Sequence, residues 1–268
     1  MKSSILAFIL LVLIVKNANS QDTLYVYDNG LIVFKRPVSQ IDSVVFNKPL
    51  NLKITDINGN IYTTKQFGNQ IWMTENLKAT RYSNGDSILT TEPAHLNTTG
   101  FDLTAEQETK YGWAYNGDKN LISNYGRLYT WYTITDPRNV CPSGWHVPSD
   151  ADWNELKSYL ENNSFGFEGS GPDIGKSLAA NSNWEASTTN GSIGNDLPSN
   201  NTSSFNVQPA GIRNYQSFDY MGYSSYFWTT DSRNQLDAYL QAMHWNGYAL
   251  VQLFSPKISG ASVRCLKD

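Results

Sequence analysis

Apolar and polar positions along most of this chain fall into short alternating or clustered runs, the spacing of strands. Sustained helical spacing is rare. Residues 23–27 and 31–34 are β-rich runs on either side of Asp28-Asn29-Gly30. An Asn-Gly step between two such runs predicts a hairpin, because the favoured two-residue turn needs positive φ. Residues 44–46 read as a third short strand. A second hairpin is expected from residues 52–54 and 61–62 around Asp56-Ile57-Asn58-Gly59-Asn60, followed by a strand over residues 70–73. Residues 92–109 are polar and weakly patterned, as in a surface loop or short helix. Residues 111–115 and 125–132 are aromatic runs punctuated by Gly, where the backbone turns sharply or meets other segments closely.

The clearest helix signal follows Pro148, which cannot sit inside a helix. Ser149 is a preferred N-cap and Asp152, three residues on, can answer it as a capping box. Trp153, Leu156 and Leu160 then share one face, and Asn162-Asn163 ends the pattern. A shorter second helix is expected over residues 173–180, and residues 181–204 read as loops. The last third returns to strands at residues 205–213, 226–230, 238–243, 249–254 and 260–265. Strands, then helices, then long loops, then strands again predict an α+β fold with small antiparallel sheets, two helices and long loops.

The first twenty residues have the pattern of a secretory signal peptide. Lys2 is basic, residues 5–15 are apolar but too short to span a bilayer, and Ala18-Asn19-Ser20 offers small residues for cleavage before Gln21. There is no cysteine near residue 20 for a lipoprotein anchor. No later apolar run is long enough for a transmembrane helix. Residues 21–50 form a short β segment, too small for its own core, and 51–268 form the main domain after the Lys48-Pro49 boundary. The expected address is exported: secreted, periplasmic or on the outer cell surface.

Composition agrees with that address. Only 16% of residues are charged and 13% are aromatic, while the net charge is −4 with no basic cluster. A nucleic-acid role, which needs Lys and Arg arrayed against phosphate, has no support. The two cysteines, Cys141 and Cys265, suggest one disulfide in an exported chain. It would close a long loop and contribute roughly 4–5 kcal/mol in the chain-entropy model. A pair of buried thiols is the alternative, and two cysteines alone make too few ligands for a metal site.

Catalytic patterns are missing from the sequence. His95, His146 and His244 form no close-spaced metal pair, and His146 reads as structural, satisfied by backbone. Asp56, Asn58 and Asn60 imitate the start of a calcium loop, but Ile61 and Phe67 stand where that loop needs Gly and Glu, so a turn is expected. Asp150 and Asp152 are explained by helix capping. No nucleophile-elbow, zincin or phosphate-loop pattern occurs, and no cofactor is expected. The remaining signal is aromatic: Tyr220, Tyr223, Tyr226, Phe227, Trp228, Trp245 and Tyr248 crowd the C-terminal third. Aromatic faces stack on sugars and anchor protein partners, and they also fill cores. Tyr223, Trp245 and Tyr248, beside Gly or Asn in expected loops, are the candidates for an exposed ligand site, with His244 lining it.

Five blocks carry a family resemblance. They are residues 68–77, Tyr125-Gly126-Arg127-Leu128-Tyr129-Thr130-Trp131, Cys141-Pro142-Ser143-Gly144-Trp145-His146-Val147-Pro148-Ser149, residues 205–213, and Ser262-Val263-Arg264-Cys265-Leu266. In this order they resemble the Fibrobacter succinogenes major paralogous domain family, over residues 56–268. Residues 21–50, ending Ile41-Asp42-Ser43-Val44-Val45-Phe46, resemble a β segment behind the signal peptide of many secreted Bacteroidetes-type proteins. The family resemblance implies a surface or secreted domain with a C-type lectin-like fold, the scaffold shared with formylglycine-generating enzymes. Those enzymes need two neighbouring cysteines in their C-terminal part, and here the pair is far apart. Gln208-Pro209-Ala210 lacks the acid of a lectin calcium site, and no Trp-Asn-Asp triplet occurs. The expectation is a non-catalytic module that binds an extracellular glycan or protein through loop aromatics. A structural or assembly component of the cell envelope is the alternative, and an enzyme the least supported reading.

Overall fold

The computed structural model describes residues 23–28, 31–40, 53–99 and 110–268. The expected signal peptide, the third strand expected at 44–46 and the family-like ending at 41–46 lie outside the described residues. The chain divides into two units, Met1–Lys48 and Pro49–Asp268. In the first, β1 (Thr23–Asp28) pairs antiparallel with β2 (Leu31–Pro37). Its register shifts between Val26 and Tyr27, a bulge that adds twist.

The second unit holds two five-stranded sheets. The first sheet runs in the order β3 (Lys53–Thr55), β4 (Ile61–Phe67), β5 (Gln70–Met73), β14 (Leu266–Lys267) and β8 (Trp145–His146). The second runs β10 (Phe218–Met221), β9 (Ala210–Arg213), β11 (Ser224–Ser232), β12 (Asp237–His244) and β13 (Val251–Pro256). A small ladder joins β6 (Gly112–Trp113) to β7 (Leu128–Tyr129). The C-terminal strand inserts between β5 and β8, with Leu266 facing Trp72 on one side and His146 on the other. It starts just after the expected final strand, whose residues Ala261 and Ser262 make isolated bridges to Tyr129 and Phe227.

The α+β expectation is not met, nor is the lectin-like fold drawn from the resemblance. The chain is mostly β, with 32% strand and 17% helix, and its sheets curl into half-barrels. Among the described residues only α3 (Asp150–Asn162) exceeds a single turn; α1 (Ile122–Tyr125), α2 (Trp131–Ile134) and α4 (Gly175–Leu178) have four residues each. The second expected helix is therefore one turn, α4. Gly175 opens it, and Ala179 leaves helical geometry to form a parallel bridge with Val207.

Where the local signals are strong, structure follows them. The Ser149 hydroxyl accepts from the Asp152 N–H, and the Ser149 N–H donates to the Asp152 carboxylate at 2.8 Å, completing the capping box. Trp153, Leu156 and Leu160 are buried against Phe67, Trp72, Phe205 and Phe227. Each such side chain contributes about 1.5–3 kcal/mol of burial. The Asp56 carboxylate accepts from the Asn58 and Asn60 N–H groups, the Asn60 amide and the Tyr62 hydroxyl. Four internal donors account for its place in the turn. Cys141 and Cys265 are disulfide-bonded, with their Cα atoms 5.9 Å apart. His146 is held differently from the expectation. Its Nδ1 lies 2.6 Å from the Asp268 carboxylate and its Nε2 3.8 Å from Asp152, so carboxylates hold it rather than backbone.

Both sheets contribute to both large apolar clusters. Tyr62 and Met73 of the first sheet join Trp228 and Leu240 of the second in one cluster. Phe67 and Trp72 join Phe227, Met243 and α3 in the other. Arg264 is buried beside the second. Its guanidinium donates to the Asn76 side chain and to the Phe205 and Asn206 carbonyls, and lies 4.4 Å from the Phe205 ring. Burial pulls its pKa down to about 9, which leaves it charged at neutral pH. A buried cation satisfied by carbonyls locks the last strand to the segment that leads into the second sheet.

Candidate functional site

The aromatic candidates come together at one end of the second sheet because two loops meet there. The first is Tyr220-Met221-Gly222-Tyr223, where the Tyr223 N–H donates to the Tyr220 carbonyl at 3.0 Å. Gly222 has φ +85°, the value a tight turn demands at its third position. The second follows β12, where the Gly247 N–H donates to the His244 carbonyl at 2.8 Å. The Trp245 N–H then donates to the Tyr223 carbonyl at 2.8 Å, tying the loops together.

The second loop is also fixed from behind. Gly175 and Gly194 donate their N–H groups to the Tyr248 and Trp245 carbonyls, each at 2.6 Å. A Cβ on Gly175 would stand 2.6 Å from the Tyr248 oxygen, and one on Gly194 would stand 3.0 Å from the Trp245 oxygen. Only glycine admits this approach. Such a loop loses little further entropy when a ligand arrives.

Three of the four expected residues form one cluster. The Tyr223 and Trp245 rings meet edge to face at 6.2 Å, and the His244 ring lies 6.1 Å from Trp245. Tyr223 and Tyr248 are each 43% exposed, and His244 is exposed with its Nδ1 2.6 Å from the Asn246 side-chain oxygen. Trp245 is half-buried and packs on the α3 core, so it supports the cluster more than it offers a face. Tyr248 shares the loop but its carbonyl turns back to Gly175.

Sequence reasoning missed the neighbouring groove. A shallow cavity of about 260 Å³ crosses the second sheet, lined by Ile212, Asn214, Tyr220, Tyr226, Leu253 and Phe254. Its most exposed aromatic is Tyr220, at 54%. Tyr220 has φ +64°, a left-handed conformation that costs a bulky residue of order 1 kcal/mol or more. The register explains it. Asp219 faces Ile212 and Met221 faces Ala210, so Tyr220 stands opposite Gly211, which itself has φ +68°. The side-chain-free Gly211 lets the backbones close in, and Tyr220 lies 6.5 Å from Tyr226. Burial raises the Tyr226 pKa, so its hydroxyl stays a neutral donor and acceptor. A Tyr-Met-Gly-Tyr run was the available signal for this turn; the left-handed tyrosine had none.

The groove supplies polar groups from Asn214 and Ser255. Nearby Asp219 accepts from Asn214 and Ser217, both at 2.7 Å. Among the described residues no carboxylate lines the groove itself, and no group of three or more His, Cys, Asp or Glu side chains could hold a metal. No helix among the described residues is long and apolar enough to cross a membrane. The arrangement offers stacking faces and hydrogen bonds.

The family model described as Fibrobacter succinogenes major domain matches residues 66–267. No curated protein and no solved structure matches the chain.

Proposed function

We propose a binding role for this chain, which belongs to the Fibrobacter succinogenes major domain family. It is an exported, non-catalytic module that recognises a glycan at the end of the second sheet. The observation that carries this reading is the exposed, strained Tyr220 beside Tyr226, next to the Tyr223–Trp245 pair on a pinned loop. Aromatic faces flanked by Asn, Ser and Tyr hydroxyl groups suit the apolar faces and hydroxyls of a sugar chain. Strain kept at an exposed position fits a ligand site, where the side chain's presentation outweighs its cost.

The test is retention on a glycan array followed by titration of the hits. Each stacking contact is worth about 1 kcal/mol. The variant Tyr220→Gly with Tyr223→Ala is therefore expected to weaken binding by roughly tenfold or more. Tyr220→Gly alone relieves the left-handed strain, so its thermal midpoint should hold or rise while affinity falls. Equal binding by the double variant, or no glycan retained by the wild type, would overturn the reading.

A second reading, a structural or assembly component of the cell envelope, is favoured by one observation. β13 is an edge strand on which Val251, Leu253 and Phe254 are exposed. Open edges of this kind accept a strand from another chain.

A further inference from the structure

A second cavity lies away from the aromatic groove and has the opposite chemistry. It has a volume of about 550 Å³, within the range of small-molecule sites, and an apolar floor that includes Ile88 and Ala79. Among the described residues three cations line it, Arg81, Lys119 and Arg127, against one carboxylate, Glu92. The whole chain carries a net charge of −4, so this local excess of positive charge is a property of the site.

Arg127 is the informative residue. Its Nε is buried and has no hydrogen-bond partner. Its backbone is fixed, because its N–H donates to the Leu77 carbonyl at 2.9 Å and Gly126 lies where a Cβ would be 2.6 Å from Asn76. A buried guanidinium N–H without an acceptor is costly, and its position is not the result of a loose loop. Arg81 spends one N–H on the Gly85 carbonyl at 2.7 Å and is otherwise exposed, as is Lys119.

The cavity wall is also built. Arg213 is buried, stacks 4.0 Å from the Trp113 ring, and donates to the Ala94 and Leu96 carbonyls at 2.8–3.2 Å. The Trp113 indole N–H donates to Thr91 at 2.9 Å. These bonds hold the segment carrying Glu92, Ala94 and His95 over the cavity. Burial pulls the Arg213 pKa down to about 10, which leaves it charged at neutral pH and adds positive potential behind the wall.

We propose that this cavity binds a small carboxylate-bearing ligand of uronic-acid size, with Arg127 as the principal contact and Arg81 and Lys119 at the rim. A guanidinium fork matches a carboxylate in two parallel hydrogen bonds. Glu92 takes hydroxyl hydrogens and disfavours multiply charged anions. This inference does not depend on the aromatic groove, where no cation is among the described lining residues.

The test is calorimetric titration of the full chain with galacturonate, its methyl ester and inorganic sulfate. The free acid is expected to bind, the ester at least about tenfold more weakly, and the acid to lose affinity as salt rises. Arg127→Gln should lose at least about tenfold with its thermal midpoint near the wild type, and Arg127→Lys should fall between. If Arg127→Gln does not fold, the exposed pair Arg81→Gln with Lys119→Gln provides the same readout with a smaller loss. Equal binding of acid and ester, sulfate competing as well as the acid, full affinity in these variants, or no binding of the acid would each overturn the proposal.

Discussion

The two five-stranded sheets end in very different ways. The first is blunt at both edges: β3 has three residues and carries Lys53, and β8 has only Trp145 and His146. Its C-terminal strand is locked by the Cys141–Cys265 bond one residue away. The second sheet ends in β13, six residues without a charge, four of them exposed. Short, charged edges are the usual protection against unwanted pairing. One sheet is closed off and stapled, while the other leaves an apolar edge and an aromatic loop cluster in solvent.

The sharpest way to break this comparison is to remove the staple. Cys141→Ser with Cys265→Ser opens a loop spanning 124 positions. The chain-entropy model gives a loss of roughly 4–5 kcal/mol, read as a lower urea midpoint than that of the oxidised wild type. A loss below about 1 kcal/mol would show that the first sheet does not depend on its covalent tie.

A second clamp sits just before Cys141. Arg138 donates to both oxygens of the buried Asp136, at 2.9 and 2.8 Å, and the Lys110 ammonium lies 2.7 Å from one of them. Arg138 and Lys110 hold the Asp136 carboxyl well below its usual value near 3.8. A depressed folded pKa means that this stability is present above the unfolded value and is lost as pH falls through and below it. Asp136→Asn removes the buried acid that Arg138 and Lys110 share, while Arg138 keeps Asp86 at 3.1 Å, and is expected to cost about 3 kcal/mol at neutral pH. The gap between wild type and variant should narrow below about pH 4. A constant gap from pH 7 to pH 3 would remove Asp136 from the acid response.

Much of the first sheet could be read from local signals. The Asp56–Asn60 turn, the strand at 70–73 and the Ser149 cap each rest on residues within a few positions of one another, and each formed. The balance of classes was misjudged because one strong helix signal counted for a layer that α4 cannot supply in a single turn. The candidate site was half legible. Tyr223, His244 and Trp245 stand beside turn residues and do meet, through loops paired across Ser224 and His244. The left-handed Tyr220 depends on the register of β9 against β10, a strand without a clear pattern of its own. The cationic cavity joins residues around 80, 92, 117 and 127, so no local pattern announces it. Within an aromatic run, Arg127 reads as one more packing residue until its unpaired Nε is seen.

The smallest expected effect on stability is the most direct test of the edge. Leu253 pairs with Leu240 on β12 but is itself exposed, so a charge there meets solvent. Leu253→Lys should cost no more than about 1 kcal/mol, since the side chain is half exposed at a sheet edge. Phe254 lies under the Arg233 guanidinium at 3.6 Å, and a lysine there would oppose that cation. Leu253→Lys is therefore the cleaner variant. Its consequence for function depends on which surface works. If β13 accepts a strand from another chain, sedimentation of the wild type should show an associated species that the variant lacks, because an inserted charge blocks edge pairing. If only the groove works, the variant stays in the wild-type association state and loses part of its glycan affinity, since Leu253 lines the groove beside Tyr226. Unchanged association together with unchanged glycan binding would show that the open edge of the second sheet does no more than the blunt edges of the first.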